Sequence, residues 1–418
     1  MRSKLIVVAI AAGLGLTSLA ASAAPAQARA AAASSSEVEQ LKAQLAALQA
    51  KVDELEQRTD AQSDINVSTG QAVEKASNVT AASDKKLAAL EKAVNNTTLS
   101  GKMFFDFTGI DDKNSDKGKS DKSGVGLDVK RFYLGVDHKF NDIWSLSLTT
   151  DFNYSSSDGQ TSLFVKKAYV QGKFDDAAVL RIGSTDMPWI PFAEKYYGFR
   201  YVENTLTDRL KYGNSADWGL HLGGDIGAGK SLNYAVSVVN GNGYKNPGRS
   251  KGVDVEGRVG FVPFENMVVA VGGYSGHRGQ ETQLTDAQNT AQRGDLMVAY
   301  ASDAFRLGAE YFTARNWNNV LTTATDKADG YSLWGSVAIA DGVNLFARYD
   351  NAKLSKTLDS ANKDVYYNAG VEFQVTKGFK LAGVWKHEKA DKSMGTPAPL
   401  HVQNVKTNEI GVFGEVRF

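Results

Sequence analysis

The stretch from Gly224 to Ser231 has the spacing of a phosphate-binding loop, G-x-x-x-x-G-K-S. That chemistry requires a helix after the lysine, because the amides of its first turn bind the phosphate. The residues that follow alternate between apolar and polar types at period two, which is typical of a β-strand. We therefore interpret this stretch as a hairpin turn and predict no nucleotide site.

Two other groups of residues have types that bind metals or catalyse reactions. Asp112, Asn114 and Asp116 have the spacing of calcium ligands in an EF-hand. However, Lys117 replaces the glycine of that loop and Ser123 replaces its closing glutamate. The five histidines show neither ligand spacing nor a Ser/His/Asp grouping, and the chain has no cysteine. The sequence thus predicts no enzyme activity, no metal site and no cofactor.

The charge of the chain is balanced, with 47 Lys and Arg residues against 47 Asp and Glu residues. The first 98 residues hold ten of each sign, which leaves 37 of each for the rest. A neutral chain has no global field that recruits nucleic acid. We expect no nucleic-acid partner, and any selectivity must come from the local placement of charge.

The N-terminus has the features of a secretory signal peptide. Two basic residues precede an apolar segment at 5–19, and small residues follow it. We predict that residues 1–23 form the signal peptide and that 24–37 form a linker. The mature protein therefore leaves the cytoplasm.

A heptad pattern begins at residue 38, where apolar residues recur every three and four positions. Its register continues to Val94, but polar residues occupy the middle, so one continuous helix and two short helices joined by a linker both fit. A helix with so narrow an apolar stripe is not stable alone. We predict a periplasmic coiled-coil segment at 38–97 that packs against a partner chain. The first core residues are Val38, Leu41, Leu45, Leu48, Val52 and Leu55.

The apolar period changes to two after residue 98, and this segment predicts sixteen strands. Short turns alternate with long polar loops, as they do in a barrel inserted from the periplasm. An even number of strands also returns the chain to its starting side. We predict an all-β fold, a 16-stranded antiparallel transmembrane β-barrel at 98–418, with the N-terminal α-helical coiled coil before it. This places the barrel in the cell outer membrane, surrounded by lipid, with the N-terminal segment in the periplasm.

The last strand, residues 406–418, alternates apolar with charged residues and ends in Phe418. Taken alone, it fits any antiparallel sheet. As the sixteenth strand it would pair with the first near Leu99 and close the barrel. In the second strand the same period places Arg131 on the charged, lumenal face and Lys130 on the opposite face.

The longest connection, residues 187–213, is rich in aromatic side chains. Such side chains are unfavourable in water, so we favour a loop folded into the lumen over one packed outward against a neighbouring subunit. An inward loop would set the narrowest point of a pore. The candidate constriction residues are Lys195, Arg200, Arg209 and Lys211.

Basic residues on the predicted lumenal face would form a weak anion filter along the pore wall. The candidate pore-lining residues are Arg131, Lys167, Arg181, Arg258, Arg348 and Lys380.

Several short motifs occur in a characteristic order: VKRFYLGV at 129–136, KAYV at 167–170, LRIG at 180–183, VNGNG at 239–243 and ARYD at 347–350. In this order the segment resembles the phosphate-selective porin O/P family, including its dicarboxylate-porin-like relatives with an N-terminal coiled coil. The resemblance implies a homotrimeric outer-membrane porin. It also implies that the barrel-assembly machinery recognises Phe418.

We therefore predict passive diffusion of small hydrophilic solutes, with anions such as phosphate or dicarboxylates as the expected class. Two alternatives remain open at this point. One is a general non-selective or sugar porin, and the other is a structural protein that tethers the cell wall to the outer membrane through its coiled coil.

Overall fold

The computed structural model describes residues 35–120, 122–155, 160–394 and 401–418. The predicted signal peptide and most of the predicted linker lie outside these ranges. The chain divides into two compact units, Met1–Leu87 and Ala88–Phe418.

The helix α1 is continuous from Ser35 to Asn95 and has 61 residues. The alternative of two short helices is therefore wrong. The apolar residues of the heptad pattern lie on its surface, with Leu41 65% and Leu48 66% exposed. None of the helices in the described ranges has the length and apolar content needed to cross a membrane.

Sixteen long strands and one two-residue strand follow α1. They are β1 (Thr97–Asn114), β2 (Gly118–Lys119), β3 (Gly124–Lys139), β4 (Trp144–Ser155), β5 (Gln160–Lys173), β6 (Val179–Asp186), β7 (Ala216–Ile226), β8 (Leu232–Val239), β9 (Asp254–Phe261), β10 (Met267–Gly276), β11 (Ala291–Ala301), β12 (Phe305–Arg315), β13 (Lys327–Ala340), β14 (Val343–Lys353), β15 (Lys363–Thr376), β16 (Phe379–Met394) and β17 (His401–Arg417). The short β2 lies in the first long loop and pairs with the end of β1.

The sheet closes on itself, because β17 pairs antiparallel with β1 from Lys102 opposite Arg417 to Asn114 opposite Val405. Each long strand pairs with its neighbour in sequence, and β1 pairs directly with β3. The predicted closed 16-stranded antiparallel barrel is thus confirmed. Several strands extend far toward the side of the long loops, where β16 reaches Met394. The backbone hydrogen bonds between strands continue there through polar residues. The alternation of apolar residues therefore ends before the strand does.

Burial alternates along the strands and separates the two faces of the wall. In β12 Leu307 and Tyr311 are exposed on the outside, whereas Glu310 and Phe312 are buried on the inside. Aromatic residues near the short turns, among them Phe140 and Phe264, are also exposed. Such a ring of aromatic side chains is typical of the membrane interface.

Two β-bulges change which side chains face the lumen. The prediction that Lys130 lies on the outer face is wrong, because the register between β1 and β3 shifts opposite Phe104 and Phe105. The extra residue of a bulge interrupts the period of two, and Lys130 Nζ lies inside the barrel, 3.1 Å from the Asp106 carboxylate. A second shift between β4 and β5 leaves Lys166 as the extra residue beside Lys167.

Candidate pore and constriction

The loop between β6 and β7 folds into the barrel and contains two short helices, α2 (Ile190–Tyr197) and α3 (Leu206–Arg209). Pro191 lies in the first turn of α2, where its missing N–H costs no backbone hydrogen bond. Gly198 ends it in the left-handed region, with φ of 82°, and its amide donates to the Glu194 carbonyl. These residues fix the direction in which the loop crosses the lumen.

Aromatic side chains of this loop are buried against the inner wall. Trp189 is 0% and Tyr201 is 1% exposed, and the Phe199 ring stacks on Phe346 with centroids 4.3 Å apart. The loop therefore packs inward, as its aromatic content predicts, and not outward against a neighbouring subunit.

Carboxylates of the wall accept hydrogen bonds from the loop. The amide and indole N–H of Trp189 donate to Glu256 and Glu310, at 2.9 and 2.8 Å. The Tyr201 hydroxyl donates to Glu372 at 2.8 Å. All three carboxylates are buried. Burial of a carboxylate without hydrogen-bond donors is unfavourable, and the loop supplies donors to each of them.

Arg209 is the main ionic anchor of the loop. Its guanidinium lies 3.1 Å from Asp350 and 2.8 Å from Glu388, and it also pairs with Asp364. Burial lowers the pKa of Arg209, but the three carboxylates together raise it, and the net shift is upward. With its side chain 8% exposed, Arg209 holds the loop to the wall and does not face the open lumen.

A second ionic contact joins the loop to β16. Glu203 lies 3.4 Å from Lys386, which also pairs with Glu409. Burial raises the pKa of Glu203, but nearby basic side chains, first Lys386 and then Lys130, contribute to a net decrease to about 2. Because this value is below that of an ordinary carboxyl group, the ion pair stabilises the docked loop near neutral pH and is lost only as the pH falls toward about 2.

Two of the six predicted wall residues lie beneath the loop. Arg258 donates to the Pro188 carbonyl at 2.9 Å, and its guanidinium lies 3.5 Å from the centroid of the Phe192 ring. Arg348 pairs with Asp350 at 2.7 Å and donates to the Asn204 carbonyl. Both are buried, so they bind the loop rather than water in the pore.

The other four predicted wall residues face the lumen with a polar partner nearby. The pairs are Arg131 with Asp151, Lys167 with Asp186, Arg181 with Gln171, and Lys380 with Glu372.

A cavity of about 700 Å³ lies at the short-turn end of the lumen, beside α2. Eight basic and three acidic side chains line it. The basic residues are Lys102, Lys166, Lys167, Lys195, Arg200, Arg306, Lys380 and Arg417. Sequence reasoning missed Lys102, Lys166, Arg306 and Arg417. Lys102 lies four residues before Asp106 on β1, so the period of two could have placed it on the inward face. The inward position of Lys166 depends on the bulge and could not be found in this way.

The acidic side chains of this cavity are neutralised by neighbours: Asp186 pairs with Lys167, Glu194 with Arg200, and Glu415 with Arg417. Four of the basic side chains form no ion pair within the part of the chain that the structure describes. They are Lys102, Lys166, Lys195 and Arg306. The cavity therefore has an excess of positive charge, although the barrel as a whole is neutral.

Further basic residues lie between this cavity and the long loops. They are close enough to one another for their charges to interact. Burial, followed by the charge of Arg131, lowers the pKa of Lys245, and Lys211 and Lys166 contribute in the same direction. Lys166 in turn interacts with Lys102. Geometry agrees for part of this group, because Lys166 and Lys245 both lie close to the centroid of the Tyr244 ring, at 5.9 and 5.8 Å.

Residues 97–192 match the family model described as phosphate-selective porin O and P. The resemblance to this family is confirmed over these residues. They include both bulges and the first residues of the inward loop. A search of curated proteins gives no significant match.

Solved porin structures share the fold at low sequence identity. The outer-membrane channel DcaP of Acinetobacter baumannii matches with 14% identity and a TM-score of 0.56, over 77% of this chain and 97% of that one. An anion-selective porin from Comamonas acidovorans matches with 13% identity and a TM-score of 0.52, over 77% and 99%. The trimer form of OmpT from Vibrio cholerae has 15% identity and a TM-score of 0.51, over 77% and 99%.

These likenesses show the fold, which is that of a porin-like outer-membrane channel. The family and the matched structures are channels and not enzymes.

Proposed function

We propose that this protein is an outer-membrane porin through which small hydrophilic anions diffuse passively. The observation that supports this proposal is the excess of basic side chains around the cavity beside α2. A positive potential in a narrow aqueous path raises the local concentration of anions and lowers that of cations. One of the similar structures is described as an anion-selective porin from Comamonas acidovorans, which supports a preference for anions.

The basic residues act in series rather than as one tight site. We propose that an anion from the long-loop side meets Lys211, Lys245 and Arg131 before it reaches the cavity. Lys166 and Lys102 both line that cavity. Conduction requires sites that attract the ion and still release it, and a row of separate ammonium and guanidinium groups meets that requirement. Doubly charged anions gain most from such a row, so phosphate and small dicarboxylates are the solutes that we propose.

The double substitution Lys102→Gln and Lys166→Gln tests the filter. We expect the chloride-to-potassium permeability ratio to fall by about threefold, because two charges without ion-pair partners leave the path. The reversal potential of purified protein in planar bilayers under a KCl gradient measures this ratio. Lys113→Gln, at the exposed long-loop end of β1, is the matched control and should keep the wild-type ratio.

Two outcomes of the same experiment contradict the proposal. Cation preference in the wild type would refute the anion filter. A folded protein that conducts no ions would refute the porin and favour the structural alternative.

We also propose that the chain assembles as a homotrimer, with α1 forming a periplasmic coiled coil. The support is the exposed apolar stripe along α1, which continues to Leu87 and Leu90 at 63% and 61% exposure. Such a stripe is stable in water only when other helices cover it. A trimer form is named for OmpT of Vibrio cholerae, one of the similar barrels.

Removal of residues 38–94 should separate assembly from conduction. We expect the barrel to fold and to conduct with the wild-type value for each channel, while the trimer dissociates at lower detergent or temperature stress. Light scattering after size-exclusion chromatography and single-channel recording measure the two properties. An unchanged trimer stability would count against a role of α1 in assembly, and a loss of conductance would show that α1 serves the pore.

A further inference from the structure

The motif at residues 239–243 turns the loop after β8 back into the barrel. Gly241 and Gly243 have φ angles of 92° and 76°, in the left-handed region that favours glycine. Their amides donate to Asp217 Oδ2 at 3.0 and 3.1 Å. A Cβ atom at Gly243 would lie 2.9 Å from the side chain of Asn214. The turn is therefore clamped onto the end of β7 and requires both glycines.

This clamp directs the next residue, Tyr244, from β7 toward β4, three strands away along the wall. The Tyr244 amide donates to the Ala216 carbonyl at 3.0 Å, and its carbonyl accepts from the Trp218 indole at 3.3 Å. With the backbone fixed in this way, the Tyr244 hydroxyl donates to Asp151 Oδ2 on β4 at 2.7 Å. A second long loop thus contributes a side chain to the lumen, in addition to the loop that carries α2.

Asp151 lies among the basic residues of the proposed ion path. Arg131 Nη1 is 3.5 Å from its carboxylate. Lys166 and Lys245 lie 5.9 and 5.8 Å from the centroid of the Tyr244 ring. The exposure of the two charges differs, because the Asp151 side chain is 0% exposed whereas that of Arg131 is 22% exposed. The Tyr244 phenol is thus hydrogen-bonded to an acid that has no exposed surface, beside a base that remains partly exposed.

We propose that Tyr244 determines the charge selectivity of the pore by covering Asp151, so that the ion path meets the bases of this cluster and not its carboxylate. The inference rests on the proposed function as a diffusion channel. Tyr244 is a positioning residue, since it acts through Asp151. An uncovered carboxylate would attract cations and reduce the positive potential of Arg131 and Lys166.

The substitution Tyr244→Ala tests this role in purified protein in planar bilayers. We expect the chloride-to-potassium permeability ratio to fall by about threefold, because one carboxylate enters the path. Tyr244→Phe retains the covering ring and should stay close to the wild-type ratio. Combining Tyr244→Ala with Asp151→Asn should restore the wild-type ratio, since no carboxylate is then uncovered.

A purely structural role for Tyr244 predicts a different pattern. Loss of loop order would change the conductance but would not be reversed by Asp151→Asn. The proposal is overturned if Tyr244→Ala keeps the wild-type ratio, or if the double variant keeps the lowered one. Cation preference in the wild type would instead refute the anion filter, and the difference between wild type and Tyr244→Ala would still test the role of Tyr244.

A second measurement tests directly whether residue 244 lies beside the ion path. The chain has no cysteine, so a Tyr244→Cys variant carries a single thiol. We expect a sulfonate-bearing methanethiosulfonate reagent to modify it in open channels and to reduce the chloride-to-potassium permeability ratio, because a negative charge is added beside the path. An unreactive thiol, or modification without any change of the ratio, would overturn the proposal.

Discussion

Arg209→Gln is expected to detach the constriction loop from the barrel wall and to raise the single-channel conductance. The wild-type guanidinium neutralises Asp350, Asp364 and Glu388 at one point beneath the loop. Its removal leaves Asp364 and Glu388 without a counter-charge, whereas Asp350 keeps its contact with Arg348. Asp364 is buried. Breaking a buried ion pair by removing one partner costs about 3–5 kcal/mol. That penalty falls on the docked state of the loop, because the undocked state admits water to the carboxylates.

The conductance and the current noise of single channels measure this change directly. Arg200→Gln is the matched control, because Arg200 pairs with Glu194 and Asp208 of the same loop and does not join the loop to the wall. Arg209→Lys should give an intermediate conductance, since one ammonium group cannot contact three carboxylates as the planar guanidinium does. Wild-type conductance and noise in Arg209→Gln would mean that the aromatic contacts alone hold the loop.

The barrel was predictable because its signal is repeated sixteen times. Period-two alternation and the regular order of short turns and long loops agree along the whole segment, so an error in one strand does not change the topology. The bulges were not predictable in the same way. Lys130 and Lys166 each follow an apolar residue in an apparently regular pattern, and only pairing with the neighbouring strand shows that each is an extra residue.

The sequence predicts that the six candidate wall residues point into the lumen. It does not predict which of them contact water in the pore and which are covered by the loop. Arg348 and Arg131 occupy equivalent positions in the sequence pattern, yet Arg348 is covered by the loop and Arg131 remains partly exposed. The difference depends on contacts between residues far apart in the chain, such as Arg209 with Asp350. Tyr244 was missed for the same reason. Its motif was visible, but the clamp on Asp217 that directs it inward requires the folded barrel.

Deletion of Phe418 is expected to cause the largest loss of assembled protein. The Phe418 amide and carbonyl exchange hydrogen bonds with the carbonyl and amide of Gly101, both at 3.1 Å, where the barrel closes. The Phe418 ring also packs over Gly101, since a Cβ atom there would lie 2.1 Å from a ring atom. The ring remains 72% exposed, which leaves it accessible to the assembly machinery that we propose recognises it.

Gly101→Val separates closure of the barrel from recognition of its last strand. The added side chain occupies the place of the Phe418 ring but leaves Phe418 on the chain, so we expect weaker closure with recognition retained. Refolding into detergent micelles reports closure alone, whereas the amount of heat-resistant protein in cell outer membranes reports closure and recognition together. If Phe418 is a recognition signal, its deletion should reduce assembly in cells far more than refolding in micelles, and Gly101→Val should reduce both to a similar extent. Equal losses for the Phe418 deletion in the two assays would assign Phe418 to closure only.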